Sequence, residues 1–499
     1  MSNLLSYIVL FSFPFLAVIL FNRLGATKGI IWTILAGYLF LPVRPVIDLP
    51  VPGLPYIDKT FVPALCALIL VGVAQRRELR LAAIARRRAG SEGQQSPDGA
   101  ETPAERSRGW WLVNLLVFVA IAGPVVTTLT NAEPLFRGVR TQAGFQLYDA
   151  GRAVVTALVM LMPFFLARKY LSTVEAHRAI IWAFVVAVLV YMLLSLYEVR
   201  MAPTLNRKLY GFFAHDWRQH IRRGGYRPIL FTEHGLRVAI FLAMGIIATA
   251  VSARLPEQAK RKTWLLLGLI PLFIVFWMTK SLGSFMIACV FVPIALFVPM
   301  RTQVLVSAVF ALVILLYPML RGAGWIPVDR IVSFAASVEE QRAESMQFRL
   351  ENEDILLERA ALKPLAGWGG QGRWLVFDER GEKESIPDGR WVITIGQYGW
   401  LGYLSEFGLL TLSILAIAWR RKTLEIGVAT GGLVLILTAN LIDLIPNSGL
   451  TPLTWLVAGA LTGWYERQRA AKAVPERASK TRQPMMERKS LAATRTRRI

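Results

Sequence analysis

The sequence predicts an all-α polytopic membrane protein of about 12–13 transmembrane helices. Three observations carry this. Apolar runs near the thickness of a bilayer core recur along all 499 residues, and 55% of the chain is hydrophobic. The short loops between them alternate between basic and weakly charged. The second half of the chain carries one long polar insertion between apolar runs, 321–397. A β-barrel would instead show alternating segments of about ten residues, which the chain lacks.

In order, apolar runs fall at 4–21, 29–41, 61–75, 110–130, 152–167, 179–199, 235–252, 264–279, 284–299, 304–320, 398–418, 427–441 and 452–465. The second and third are short for a span. The first begins without a basic leader or a small-residue cleavage site, which reads as a retained helix. Basic loops at 22–28, 76–108, 168–178, 254–262 and 420–422 and the tail from 467 should be cytoplasmic. Loops 42–60, 131–150, 321–397 and 442–450 fall on the other side, as does the N-terminus. The chain thus divides into N-terminal helices (1–75), a cytoplasmic basic linker (76–109) and central helices (110–320) carrying a basic periplasmic loop (200–233). The large periplasmic loop (321–397), C-terminal helices (398–465) and a basic cytoplasmic tail (466–499) follow.

The net charge of +23 might suggest a nucleic-acid partner, but the excess sits in interhelical loops and the tail, where it sets topology and attracts anionic lipid. Cys66 and Cys289 lie inside apolar runs, so neither a disulfide framework nor a metal cluster is indicated. His177, His215, His220 and His234 show no ligand spacing, and no metal or cofactor is expected.

One loop breaks the charge rule. Between Val199 and His234 lie Arg200, Arg207, Lys208, Arg218, Arg222, Arg223 and Arg227, against Asp216 and Glu233. Guanidinium forks suit phosphate oxygens, and several together suit a diphosphate; a solvated, lipid-attracting loop is the plainer alternative. In the large loop, residues 337–362 read as a helix with Met346, Leu350, Leu357 and Ala361 on one face. Arg349 stands i,i+4 to Glu353, a spacing that suits a simple ion pair. Pro364 ends that helix, and Gly367, Gly369, Gly370 and Gly372 could bring N–H groups against an anion or a sugar. Trp368, Trp374 and Trp391 suit sugar stacking and interfacial anchoring equally. Asp388, between Pro387 and Gly389, suits a general base or an ordinary turn aspartate.

In register, these residues resemble the bacterial O-antigen ligase and O-antigen polymerase superfamily. The family's Arg-x14-Pro-x2-Gly-x-Gly pattern is matched by Arg349, Pro364, Gly367 and Gly369. Asp388-Gly389 stands where the family has His-Asn, at the family's distance before Gly399-Trp400-Leu401-Gly402. Residues 226–234 resemble its Arg-x3-Phe helix approach, and 278–284 its Ser-Arg-Gly turn, with Leu282 at the arginine and Lys280 two residues before it. The resemblance covers residues 200–420. It implies a GT-C-like, metal-independent, inverting glycosyltransferase in the bacterial inner membrane. The implied donor is an undecaprenyl-diphosphate-linked glycan and the acceptor a saccharide or lipid-linked saccharide. Membrane lipids and polysaccharide export or chain-length proteins would be partners.

On that basis the expected catalytic residues are Asp388, as base, with Arg349 and Arg227. Arg222, Arg223, Lys280, Gly367, Trp368, Gly369 and Arg390 are expected to bind substrate. The departures at Asp388 and Leu282 favour a polymerase or a divergent member over a lipid A-core ligase. A flippase or transporter of a lipid-linked saccharide, and a non-catalytic envelope scaffold, are the other readings. Charge concentrated in loops instead of span interiors argues against the conduit.

Overall fold

The computed structural model describes residues 2–49, 51, 53–91, 110–137, 139–222, 224–338 and 340–471. Arg223, most of the basic linker and the C-terminal tail lie outside them. The described chain is an all-α multi-pass membrane protein with two two-residue-to-three-residue hairpins. Every predicted apolar run lies on a helix, because a chain in hydrocarbon must satisfy its N–H and C=O groups within each segment.

The first helix, α1 (Leu4–Phe40), contains two predicted runs and doubles back at Gly25, whose φ is 76°. Phe21 packs on Gly29, and Phe13 approaches Gly37. Both ends meet Tyr210: Asn3 N donates to its carbonyl at 3.1 Å, and its hydroxyl donates to Phe40 O at 2.9 Å. Next, α2 (Phe61–Ser91) continues well past the boundary expected at 75, because the Ala-, Leu- and Arg-rich stretch beyond it favours helix as strongly as the apolar half. Helices α3 (Trp111–Leu129), α4 (Leu147–Tyr170) and α5 (Val174–Met201) follow, with hairpin β1–β2 (Leu135–Arg137, Arg140–Gln142) between α3 and α4.

A short α6 (Leu205–Tyr210) and hairpin β3–β4 (Ile221–Arg222, Gly225–Tyr226) occupy the basic loop. Then come α7 (Gly235–Ser252), α8 (Lys262–Met278), α9 (Leu282–Phe297) and α10 (Met300–Gly322). The large loop carries α11 (Val328–Val338) and α12 (Glu340–Ala361), and the chain closes with α13 (Arg390–Trp419), α14 (Val428–Asp443) and α15 (residues 452–471).

Among the described residues, eight helices are long and apolar enough to cross a membrane, with α1 counted once; α9 and α14 are shorter apolar helices. The centre is α7 and α14, buried on nearly every face. The outer helices expose Phe15, Phe118, Val309 and Phe297, an apolar belt that water would not tolerate but lipid would.

The two classes of loop separate in space. At one end Arg168 and Trp110 N bind Glu466, and Arg178 pairs with Glu257, joining the basic loops. At the other, Lys59 donates to Phe231 O, Asn131 to Gly367 O and Arg390 N to Leu444 O. Loops 42–60, 131–150, 200–234, 321–397 and 442–450 therefore share one end, and the candidate residues lie there.

Candidate functional site

The site is built where α12, the start of α13 and the basic loop meet. The buried face of α12 carries Asn352, Glu353, Leu356 and Ala360, whereas Met346 and Ala361 are exposed. The stripe drawn from apolar residues alone was thus displaced, because the helix rests on backbone donors and an indole as well as on hydrocarbon. Asn352 Oδ1 accepts from Ile386 N at 2.6 Å, and Glu353 Oε1 accepts from Trp391 Nε1 at 3.3 Å. These contacts lay residues 386–391 along α12 and bring Asp388 to Arg349, with Nε and Oδ2 3.1 Å apart. Arg349 therefore pairs across the loop with Asp388 instead of along the helix with Glu353. Both side chains of the pair are 36% exposed, so the pair faces open space at the mouth of the bundle.

The start of α13 supplies the geometry. At Gly399 (φ 61°, ψ −159°) the helix folds back, so Thr394 Oγ1 and Arg390 Nε both reach Glu406 Oε1, at 2.9 and 2.7 Å. No straight helix brings positions 12 and 16 apart together. Residues 390–398 thus form a short helix lying against the following span. A Cβ on Gly399 would sit 2.5 Å from the Leu365 and Pro364 backbone. That close approach is the use of the glycine-rich turn. Trp368 N donates to Gly396 O, Gly369 N to Gln397 O and Gly367 N to Lys363 O. The N–H groups of Gly367 and Gly369 are consumed within the protein, which corrects the expectation that they cradle an anion. Trp368 is buried too, its indole N–H donating to Arg359 O and its face covered by the Arg359 guanidinium 3.5 Å away. It offers no open face to a sugar.

Arg227 comes from the opposite wall. Glu198, buried at the end of α5, accepts from Leu205 N, Ile229 N and Leu230 N at 2.8–2.9 Å, fixing the turn that follows Arg227. The Arg227 stem crosses the first residue of α7, where Gly235 leaves room for it. Its Nη2 donates to Lys280 O at 3.2 Å, while its Nε is buried without a partner. Burial, with the charges of Arg222 and Arg349 added, lowers its pKa to about 10. Arg227 and Arg349 thus lie within electrostatic reach of each other. Arg222 is exposed beside them, and Lys280 leans its side chain against Gly225 of the β3–β4 hairpin. Arg390 is set apart, ion-paired with Glu406.

Three features were not visible in the spacing. Glu353 has a buried, unpartnered Oε2, and burial raises its pKa to about 7. Asp443, buried at the end of α14, accepts from Ser284 Oγ at 3.0 Å and Asn447 Nδ2 at 3.1 Å and lies within reach of the Arg349 charge. His215, His220 and His234 converge, with ring centroids 4.6–5.5 Å apart. Burial together with neighbouring positive charge lowers His220 to about 4 and His234 to about 3, leaving both neutral near pH 7.

Two cavities open beside Arg390. One of about 270 Å³ is lined by Tyr38, Asp58, Lys59, Glu233 and Arg237, and the other, of about 200 Å³, by Val119, Ala120, Leu161, Tyr398 and Glu406. They share Thr156, Met160, Arg390 and Trp455, which makes one crevice with a charged and an apolar half. No protein-family model matches the chain, and no curated protein is significantly similar to it.

Proposed function

We propose that the chain is a membrane glycosyltransferase that moves or polymerises a glycan from an undecaprenyl diphosphate carrier at the outer face of the bacterial inner membrane. The observation that carries this reading is the pairing of Arg349 with Asp388 at the mouth of an apolar bundle, with Arg227 within electrostatic reach of Arg349. A diphosphate between the two guanidinium groups would take Arg349 from Asp388. The released carboxylate could then accept a proton from an acceptor hydroxyl. The arginines would stabilise charge as it develops on the leaving diphosphate, and Arg222 and Lys280 add positive charge at the rim. The lipid tail would follow the apolar faces between helices. In this reading the end bearing loops 200–234 and 321–397 is periplasmic, and the basic loops at the other end are cytoplasmic.

One observation favours a second reading, a carrier of lipid-linked saccharide. Lys59, Glu233, Arg237, Arg390 and Glu406 line the crevice inside the bundle, where charge marks a transport path in other membrane proteins. The deciding experiment reconstitutes purified protein with a synthetic polyprenyl-diphosphate glycan. Release of polyprenyl diphosphate with a longer or newly attached glycan supports transfer, whereas translocation of unaltered donor supports the carrier. The absence of both events would sink both readings.

A further inference from the structure

We propose that His215, His220 and His234 form a binding site for a transition-metal ion, zinc in the first instance, that braces the loop carrying Arg227. The proposal is independent of the glycosyl-transfer reading.

The site arises from local folding. Asp216 caps the turn Trp217–His220 by accepting from Arg218 N at 3.0 Å, and the β3–β4 hairpin then reverses the chain. Arg227 N closes the reversal on His220 O at 2.8 Å, and His234 follows as the N-cap of α7. One nitrogen from each ring lies within 4.8 Å of the others. A tetrahedral zinc ion with Zn–N bonds of about 2.0 Å needs its nitrogens roughly 3.3 Å apart. His215 is exposed on a loop and His234 is only half-buried, so the three rings can draw together around an ion.

His220 supplies the independent indication. It is fully buried, yet neither ring nitrogen has a hydrogen-bond partner in the protein. A buried imidazole normally has at least one. Imidazole is a favoured ligand for zinc, copper and nickel, and three with one position left open is a familiar zinc arrangement. His234 Nδ1 accepts from Leu236 N at 3.0 Å, which puts its ring proton on Nε2. Coordination through Nε2 moves that proton to Nδ1 and breaks this cap. Arg222, Arg227 and Arg237 lie around the cluster, so the open position favours an anion such as hydroxide or phosphate.

The test uses full-length protein without a polyhistidine tag, purified in detergent, incubated with zinc or cobalt(II) in phosphate-free buffer and desalted. The expected result is about one ion retained per chain, with the intense visible bands of tetrahedral cobalt. Affinity should fall at least about tenfold in His215→Ala, the ligand whose loss least threatens folding. His220→Ala should lose the ion entirely where it still elutes as a single species. Equal metal retention by wild type and His215→Ala, or octahedral cobalt spectra, overturns the site.

Discussion

Replacing Asp388 by Asn separates a chemical role from a structural one. The pair with Arg349 is a single 3.1 Å contact between side chains that are both 36% exposed. Such pairs contribute about 0.2–1 kcal/mol, and Asn keeps the shape of the side chain. The melting temperature should therefore fall by no more than about 2–4 °C. Loss of a general base, by contrast, costs about 10²–10⁴-fold in rate. The assay is single-turnover transfer from a synthetic polyprenyl-diphosphate glycan by purified wild type and variant, with thermal unfolding followed on the same samples. The expected outcome is a loss of at least about a hundredfold with almost unchanged stability. Arg349→Ala should reduce transfer as well, through weakened donor binding. Asp388→Asn activity within about threefold of wild type would remove Asp388 as the base, since proton transfer to a positioned group is worth far more than that. If Glu353→Gln were then inactive, the base would be Glu353, one helical turn along α12 from Arg349.

Three further predictions concern the walls of the site. Glu353, with a folded pKa of about 7 against an ordinary 4.5, holds its proton more tightly folded than unfolded. Its contribution to stability is therefore fully present below about pH 4.5 and declines through pH 7, by on the order of 3 kcal/mol. Glu353→Gln keeps an acceptor for Trp391 and should flatten the melting profile between these pH values; an unchanged slope would refute this. Gly399→Ala combines a backbone conformation open essentially to glycine, costing about 1–3 kcal/mol, with a clash against residues 364 and 365. It should abolish the monodisperse peak on size exclusion, while Gly268→Ala, with open space around it, should not. Glu406→Ala leaves the mostly enclosed Arg390 without its counter-charge and should cost about 3 kcal/mol, measured by thermal unfolding. The double change Arg390→Met, Glu406→Leu should recover most of that loss.

The sequence alone determined where the helices lie and which loops belong together. Both follow from local quantities, the length of each apolar run and the charge beside it, and every predicted run is helical in the structure. Register with a family singled out Arg349, Asp388 and Arg227, although their residue types had ordinary alternatives. What joins them was decided by tertiary structure. Arg349 had an acidic neighbour at i+4, yet it meets Asp388 because Asn352 and Glu353 bind the chain on either side of that aspartate. The glycine run signalled close approach, but only the fold-back at Gly399 shows that what approaches is the protein's own backbone. The histidines lay at spacings without meaning until a capped turn and a hairpin gathered them. Hydrophobic length is written residue by residue along the chain, whereas the partner of a buried polar group depends on which distant segment the fold delivers to it.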